Sequence, residues 1–410
     1  MGLTSRERVL MALNFEEPDR IPMDLGSSRS TGINANAYHQ LKQKMGYETE
    51  TICFDVKQNL AYPDHDLLKE LGVDVVILPR LVPSVDVKID KMVKGQLPRN
   101  GGECLLAAAY NPIEQPDGSM GLFNDDGIMI AKRPKDGLYY DEIYNPLKDA
   151  QSKTDIDKNI ILPSISDEEC EWLRERAKNL RETTDFAISG ATSTSIFEYG
   201  WKAWGLTTFM ENLYLEPELM EYYLDKMTDA YIVMMEKYLD AVGEYVDIVQ
   251  NNDDFGTQAS MLISPDMYRE FFKERHAKIN AAIKKKKPDV KIYLHSDGAI
   301  MPIIPDIIES GYDILNPIQK ETKNMDPATI KKKFGKNIVI WGAAISTQTT
   351  MTHGTIDDII AECKEMIKVL APGGGFVYSA IHNIQADITP EKILAVFETG
   401  KKYGVKEFYG

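Results

Sequence analysis

The chain has 410 residues, 43% of them hydrophobic and 27% charged, with a formal net charge of −16. This composition fits a globular protein large enough for one elaborated barrel or two smaller domains. The acidic balance argues against the basic face a nucleic-acid binder needs, and no apolar run approaches the roughly 20 residues of a membrane helix.

Thr4 to Leu13 carries a hydroxyl residue ahead of an acidic one and then apolar spacing, which predicts a capped amphipathic helix. Residues 18–25 hold two prolines and read as extended, because each disfavours helix in the residue before it. Leu67–Leu71 reads as helix and Val73–Leu78 as a buried strand. Residues 80–145 are rich in turn signals at Asn100-Gly101-Gly102, Pro116-Asp117-Gly118 and Asp125-Asp126-Gly127. They predict a β-hairpin insertion that shapes an entrance. Residues 145–165 form a polar connection.

From residue 185 a rhythm sets in. Strand-like runs fall at 186–190, 245–250, 292–295, 312–316, 338–342 and 375–379, with amphipathic helical stretches at 217–241, 265–287, 301–309 and 356–370. Such alternation implies a parallel sheet. With 21–25 and 73–78 the strands number eight, which closes an α/β (β/α)8 TIM barrel. The expectation is one barrel domain over 1–410, with an N-terminal helical extension and the turn-rich insertion. A doubly wound open sheet is the alternative, and it lacks a phosphate-binding GxGxxG or GxxxxGK[ST] loop here.

The late strands end in polar clusters at Gln250–Gly256, His295–Gly298, Asn316–Gln319, Ser346–Gln348 and His382–Gln385. On a barrel these converge at the carboxyl mouth. The adjacent acids Asp253 and Asp254 are costly after a buried strand unless solvated or partnered. The chain has six histidines. His39, His65 and His276 read as surface or packing residues, and His353 as a turn contact. His295 and His382 end strands. Two imidazoles and a carboxylate would satisfy zinc and leave a position open for substrate. The same groups without metal would serve acid–base chemistry. Four scattered cysteines with no CxxC suggest reduced thiols in a cytoplasm and exclude a zinc ribbon.

The segments Arg6–Leu10 with Pro18–Pro22, Asp253–Gln258 with Ile263–Arg269, His295–Gly298, Asp313–Gln319, Trp341-Gly342 and Gly373–Phe376 with Thr389–Ile393 occur in an order with a known counterpart. The chain resembles the uroporphyrinogen decarboxylase superfamily, most closely its corrinoid-linked methyltransferase-like members. The resemblance implies a (β/α)8 barrel with its site at the carboxyl mouth. It departs from the decarboxylases, which carry arginines in an N-terminal motif and an aspartate after an early strand. Here those regions are Met23–Ser30, with Asp24 and Arg29, and Leu78-Pro79-Arg80. It also departs from the thiol-methylating branch, whose zinc sits on His-x-Cys and a later Cys. Here those positions are His295-Ser296-Asp297 and His382.

The resemblance implies zinc held by His295, Asp297 and His382. Imidazole and carboxylate donate less charge than thiolates, so such a zinc would favour an ether or hydroxyl oxygen over a thiol. The expected activity moves a methyl group from a small methylated substrate, such as an aromatic methyl ether, to cobalt. That cobalt belongs to a methylcobalamin-type corrinoid on a partner protein, since the chain shows no Asp-x-His-x-x-Gly segment. Asp253, Asp254 and His295 are the expected catalytic groups, and Asn316, Gln319 and Tyr378 the expected pocket residues. A homodimer is compatible with this reading. Two alternatives stay open, a metal-free decarboxylase and a non-catalytic ligand-binding barrel.

Overall fold

The computed structural model describes residues 2–409, apart from the side chains of Asn100 and Ser193. Short β-branched runs form seven parallel strands: β1 (Val75–Leu78), β2 (Ala187–Thr194), β3 (Ile248–Asn252), β4 (Lys291–His295), β5 (Ile314–Asn316), β6 (Val339–Trp341) and β7 (Phe376–Val377). Each pairs with its neighbour in sequence, so the sheet order is the chain order. Helices cover the outside, as parallel strands require of their crossovers. Those used below are α1 (Ser5–Leu13), α2 (Asp167–Thr183), α3 (Phe197–Trp204), α4 (Pro217–Val242), α5 (Glu274–Lys286), α6 (Ile356–Leu370) and α7 (Pro390–Tyr403).

The eighth stave differs from the expectation in its regularity. Residues 21–25 run between β7 and β1 without forming a full strand. On one side the Tyr378 N–H donates to Pro22 O and the Asp24 N–H to Tyr378 O. On the other, the Asp74 N–H donates to Met23 O at 2.8 Å, while the Met23 N–H turns to the Asp74 carboxylate at 2.9 Å. Because a side chain takes the place of a carbonyl, the ladder stops after one bond. The same carboxylate accepts from Arg8 Nη1 at 2.8 Å and from both Arg20 terminal nitrogens at 2.7 and 2.9 Å. Asp74 is thus the clasp that closes the barrel.

Side chains alternate across each strand. One set, Val75, Ala187, Ile248, Tyr293, Ile314, Val339, Trp341 and Val377, fills the barrel interior, and Val9 and Leu13 of α1 pack against it. The capping box of Thr4 and Glu7 holds α1 in place as a plug. The other set, including Val76, Ile188, Val249, Ile292, Leu294, Leu315, Ile340, Phe376 and Tyr378, meets the helical layer.

Residues 80–145 hold antiparallel strands. The hairpin Met92–Gln96 with Glu103–Ala107 joins Ile52–Asp55 and Leu60–Tyr62 in one sheet. A meander of Ile113–Glu114, Met120–Phe123, Met129–Arg133 and Asp141–Glu142 makes a second. The hairpin region therefore recruits residues 52–62, outside the boundaries expected from the turn signals. Among the described residues no helix is long and apolar enough to cross a membrane.

Removing the clasp strands Arg20 and the buried Met23 N–H, whereas Arg8 keeps Asp19. Asp74→Ala should lower the unfolding free energy by about 3–5 kcal/mol, the cost of leaving buried charge unpaired, as read by urea unfolding. A loss below about 1 kcal/mol, the range of surface pairs, would show that closure does not depend on it.

Candidate functional site at the carboxyl mouth

The alternation that builds the barrel wall continues past the end of β3. Gln250, Asn252 and Asp254 line a cavity at the mouth. Asn251 and Asp253 face outward, where the Asn251 amide donates to Asn280 and Asp253 meets His276 on α5 at 2.9 Å. Two adjacent acids that look equivalent in sequence therefore have different roles.

Asp253 is fully buried and holds structure together. It accepts from Ser195 Oγ at 2.6 Å and from the N–H groups of Ile196, Phe197 and Glu198 at 3.1, 2.9 and 3.0 Å. These are the free donors at the start of α3, whose own N-cap, Ile196, has no side chain to satisfy them. Asp253 caps the helix from another strand. The structure places Asp253, expected to act on substrate, in this cap, with its oxygens taken by fixed donors and outside the residues that line the cavity. His276, read in sequence as a packing residue, is buried and braces it from behind.

Asp254 lies inside the site. Two glycines make this possible. Gly256 and Gly298 pack backbone to backbone, so that a Cβ on Gly298 (φ +92°) would come within 2.3 Å of Gly256. The loops after β3 and β4 therefore touch, and the Asp297 N–H donates to Asp254 Oδ1 at 2.8 Å. His295 Nε2 stands 3.7 Å from Asp254 Oδ1 and 3.7 Å from Asp297 Oδ2. Burial pushes the Asp254 carboxyl up to about 7, and the neighbouring His295 only partly offsets it.

His382 joins this group from the loop after β7. Its Nε2 is 3.9 Å from Asp297 Oδ2, and the two imidazole rings are 5.9 Å apart. The donor atoms of His295, Asp297 and His382 all lie within 4.8 Å of one another. The two strand-end histidines thus meet. Burial disfavours charge on both rings. The adjacent carboxylates Asp297 and Asp254 nevertheless raise the pKa of His295, whereas that of His382 stays lowered.

Asn316 has a different job from the one expected. Its Nδ2 donates to Trp341 O at 2.8 Å, which fixes the amide orientation and leaves Oδ1 to accept from His295 Nδ1 at 2.7 Å. His295 Nδ1 therefore carries a hydrogen, and the lone pair of the neutral ring sits on Nε2, facing the cluster. Gln319 accepts from the Gly298 N–H at 3.0 Å and so pins the loop that carries Asp297. Neither residue lines the cavity. Tyr378 is removed from the site altogether. It belongs to the outward set of β7, and its hydroxyl donates to Val396 O on α7 at 2.8 Å.

The early-strand differences also take physical form. Arg80, where decarboxylases were expected to carry an aspartate, is buried and donates to Glu169 of α2 at 2.9 Å and to Thr192 O at 3.1 Å. Asp24 accepts from Trp341 Nε1 at 2.8 Å and from the Ser27 N–H at 2.9 Å. Burial raises its pKa. Arg29 reaches the cavity and pairs with Asp55.

The cavity measures about 130 Å³ and is lined by Arg29, Lys57, Glu198, Lys202, Asp254, His295 and His382, among others. Nothing in the sequence singles out Lys57, Glu198 or Lys202. They lie on a turn and on α3, where charged residues ordinarily face solvent, and no local pattern distinguishes them.

The donor set suits a divalent ion of borderline hardness such as zinc, which takes imidazole and carboxylate ligands. The Asn316 bond to His295 is the outer support that metal-binding imidazoles ordinarily have. The residues present therefore fit a metal.

The uroporphyrinogen decarboxylase (URO-D) family profile matches residues 145–403. Among curated proteins, the uroporphyrinogen decarboxylase of Psychromonas ingrahamii is 24% identical over 72% of this chain and 82% of its own length. The methylcobamide:CoM methyltransferase MtaA of Methanosarcina barkeri is 29% identical over 44% of this chain and 50% of its own. Among solved structures, a methyltransferase from Methanosarcina mazei covers all of both chains with a TM-score of 0.58 at 19% identity, a likeness of fold. The chain belongs to the uroporphyrinogen decarboxylase family, whose relatives here include both decarboxylases and a methyltransferase.

Proposed function

We propose that this protein is a methyltransferase that moves a methyl group from a small methylated substrate, best a methyl ether, to the cobalt of a corrinoid carried by a partner protein. The observation that carries this reading is the cluster of His295, Asp297 and His382 at one wall of a small cavity. A relative named as a methylcobamide:CoM methyltransferase supports the reaction class. A metal-free decarboxylase is the second reading, and relatives named as uroporphyrinogen decarboxylases support it.

His295 Nε2, Asp297 and His382 would hold the zinc, which as a Lewis acid would polarise the substrate's ether oxygen. Asn316 keeps the His295 lone pair aimed into the cluster. Asp254 sits beside His295 and lines the cavity, where its carboxyl can give a proton to the oxygen as the carbon–oxygen bond breaks. The partner's corrinoid cobalt would supply the methyl acceptor, and the product would leave as the alcohol or phenol, its oxygen carrying the proton from Asp254. Asp253 acts at one remove, holding α3 against the site.

The direct test is cobalt methylation followed by corrinoid absorbance, using methyl ethers and methylamines as donors. Turnover with an ether supports the reading. Release of carbon dioxide from an acid, with no methylation across the panel, would replace it with a decarboxylase.

Two further outcomes separate the parts of the site. Purified wild type should hold close to one zinc per chain, and His295→Ala and His382→Ala should each lose it. Undiminished zinc in both variants would remove the metal site. The two acids should also part company. Asp254→Asn should cost about 10²–10⁴-fold in methylation rate, the usual worth of a general acid, with an unchanged melting temperature. Asp253→Ala should instead lose roughly 2–5 kcal/mol of stability, because it strands several buried N–H donors.

A further inference from the structure

The cavity has a second chemical character besides the histidine and carboxylate cluster. Three cationic side chains from three separate parts of the chain also line it: Arg29 from the loop after the closing stave, Lys57 from the turn between Ile52–Asp55 and Leu60–Tyr62, and Lys202 from α3. Arg29 has its own carboxylate, Asp55. The two lysines share one close carboxylate, and Lys202 has a second at the edge of ion-pair distance. Both converge on Glu142, at the end of the meander, with Lys202 Nζ at 3.3 Å, and Glu198 stands farther off at 3.9 Å from Lys202.

The shared carboxylate is strongly engaged. Burial works against charge on Glu142, yet Lys202 and Lys57 pull its pKa down to about 2. The converse holds at Lys57. Burial and the nearby Lys202 charge lower its pKa despite Glu142, with Arg29 adding to the effect. The three cations thus face three carboxylates, Asp55, Glu142 and Glu198, and the uncompensated repulsion falls at Lys57, which shares Glu142 with Lys202.

We propose that Lys57 and Lys202 form an anion subsite, so that the molecule taken into this cavity is a small one carrying an oxyanion, with Glu142 occupying the same two lysines when it is absent. Glu198 lies between this subsite and the histidine cluster. It is 3.9 Å from Lys202, and its charge is felt at Asp254 and His295. A ligand would place its oxyanion on the lysines and its remaining part toward His295 and His382. The inference rests on the methyl-transfer reading only for that orientation, in which the ether would face the cluster. Binding itself needs neither corrinoid nor turnover. Charge-assisted bonds from two ammonium groups are strong in a site shielded from water.

The test is calorimetric titration of the whole chain with methoxyacetate, methoxyethanesulfonate, methoxyethyl phosphate and meta-methoxybenzoate, beside uncharged meta-methoxybenzyl alcohol and dimethoxyethane. At least one anion should bind about tenfold or more tightly than its uncharged counterpart, and the panel identifies which oxyanion it is. Lys57→Gln and Lys202→Gln should each remove most of that preference while leaving the affinity for the uncharged ethers within about twofold. Glu142→Gln, which removes the competitor and keeps both lysines, should tighten anion binding by about threefold or more. No anion binding to wild type, no preference over the uncharged ethers, or a preference retained in the lysine variants would overturn the subsite. If the lysine variants fail to fold, Glu142→Gln decides, and unchanged or weaker anion binding overturns it. Anion binding without cobalt methylation would remove the methyl-transfer reading and leave the subsite standing.

Discussion

The two-residue period of a β-strand is the constraint on which the rest of this site depends. In a closed barrel one face of every strand looks inward and the other meets helices. Along β3 and just past its end the same parity sends Gln250, Asn252 and Asp254 to the cavity, and Asn251 and Asp253 to the helical layer. On β4 and β5 it turns Tyr293, His295, Ile314 and Asn316 inward. On β7 it turns Val377 inward and Tyr378 outward. A shift of one residue on any of these strands would exchange a site residue for a structural one.

The outward residues are not idle. Asp253 ties β3 to the start of α3, and α3 carries Glu198 and Lys202 into the cavity. One buried carboxylate therefore sets the distance between the barrel wall and a helix that contributes charge to the site. Asp74 plays the comparable part at the opposite end of the closure, where it binds two arginines and the stave between β7 and β1. Both are buried acids whose lone pairs are taken by fixed donors, which is the condition under which burying a charge is tolerable.

The site itself is polarised. His295, His382, Asp254 and Asp297 gather in one group, while Arg29, Lys57 and Lys202 occupy another part of the same small cavity. Imidazole and carboxylate donate less charge than thiolates, so any zinc bound here would be a harder Lewis acid. That is consistent with an oxygen-linked methyl group, and the lysines would give such a molecule a handle at its other end. Glu142 brings the insertion into contact with both lysines, so this part of the chain backs the site.

Much was determined by the sequence alone, because it is local. Strand and helix periods predict an eight-membered barrel, turn dipeptides mark the hairpin region, and the strand-end histidines His295 and His382 stand out by position. Strand parity, had it been extended past Gln250, would also have separated Asp254 from Asp253. Only the tertiary structure could decide which residues far apart in sequence share one cavity. Asn316 fixes the His295 tautomer, Gln319 pins the Asp297 loop, and Lys57, Lys202 and Glu142 meet from three separate segments. None of these contacts follows from a pattern within one segment, because each depends on where the closed barrel and its insertion bring distant side chains together.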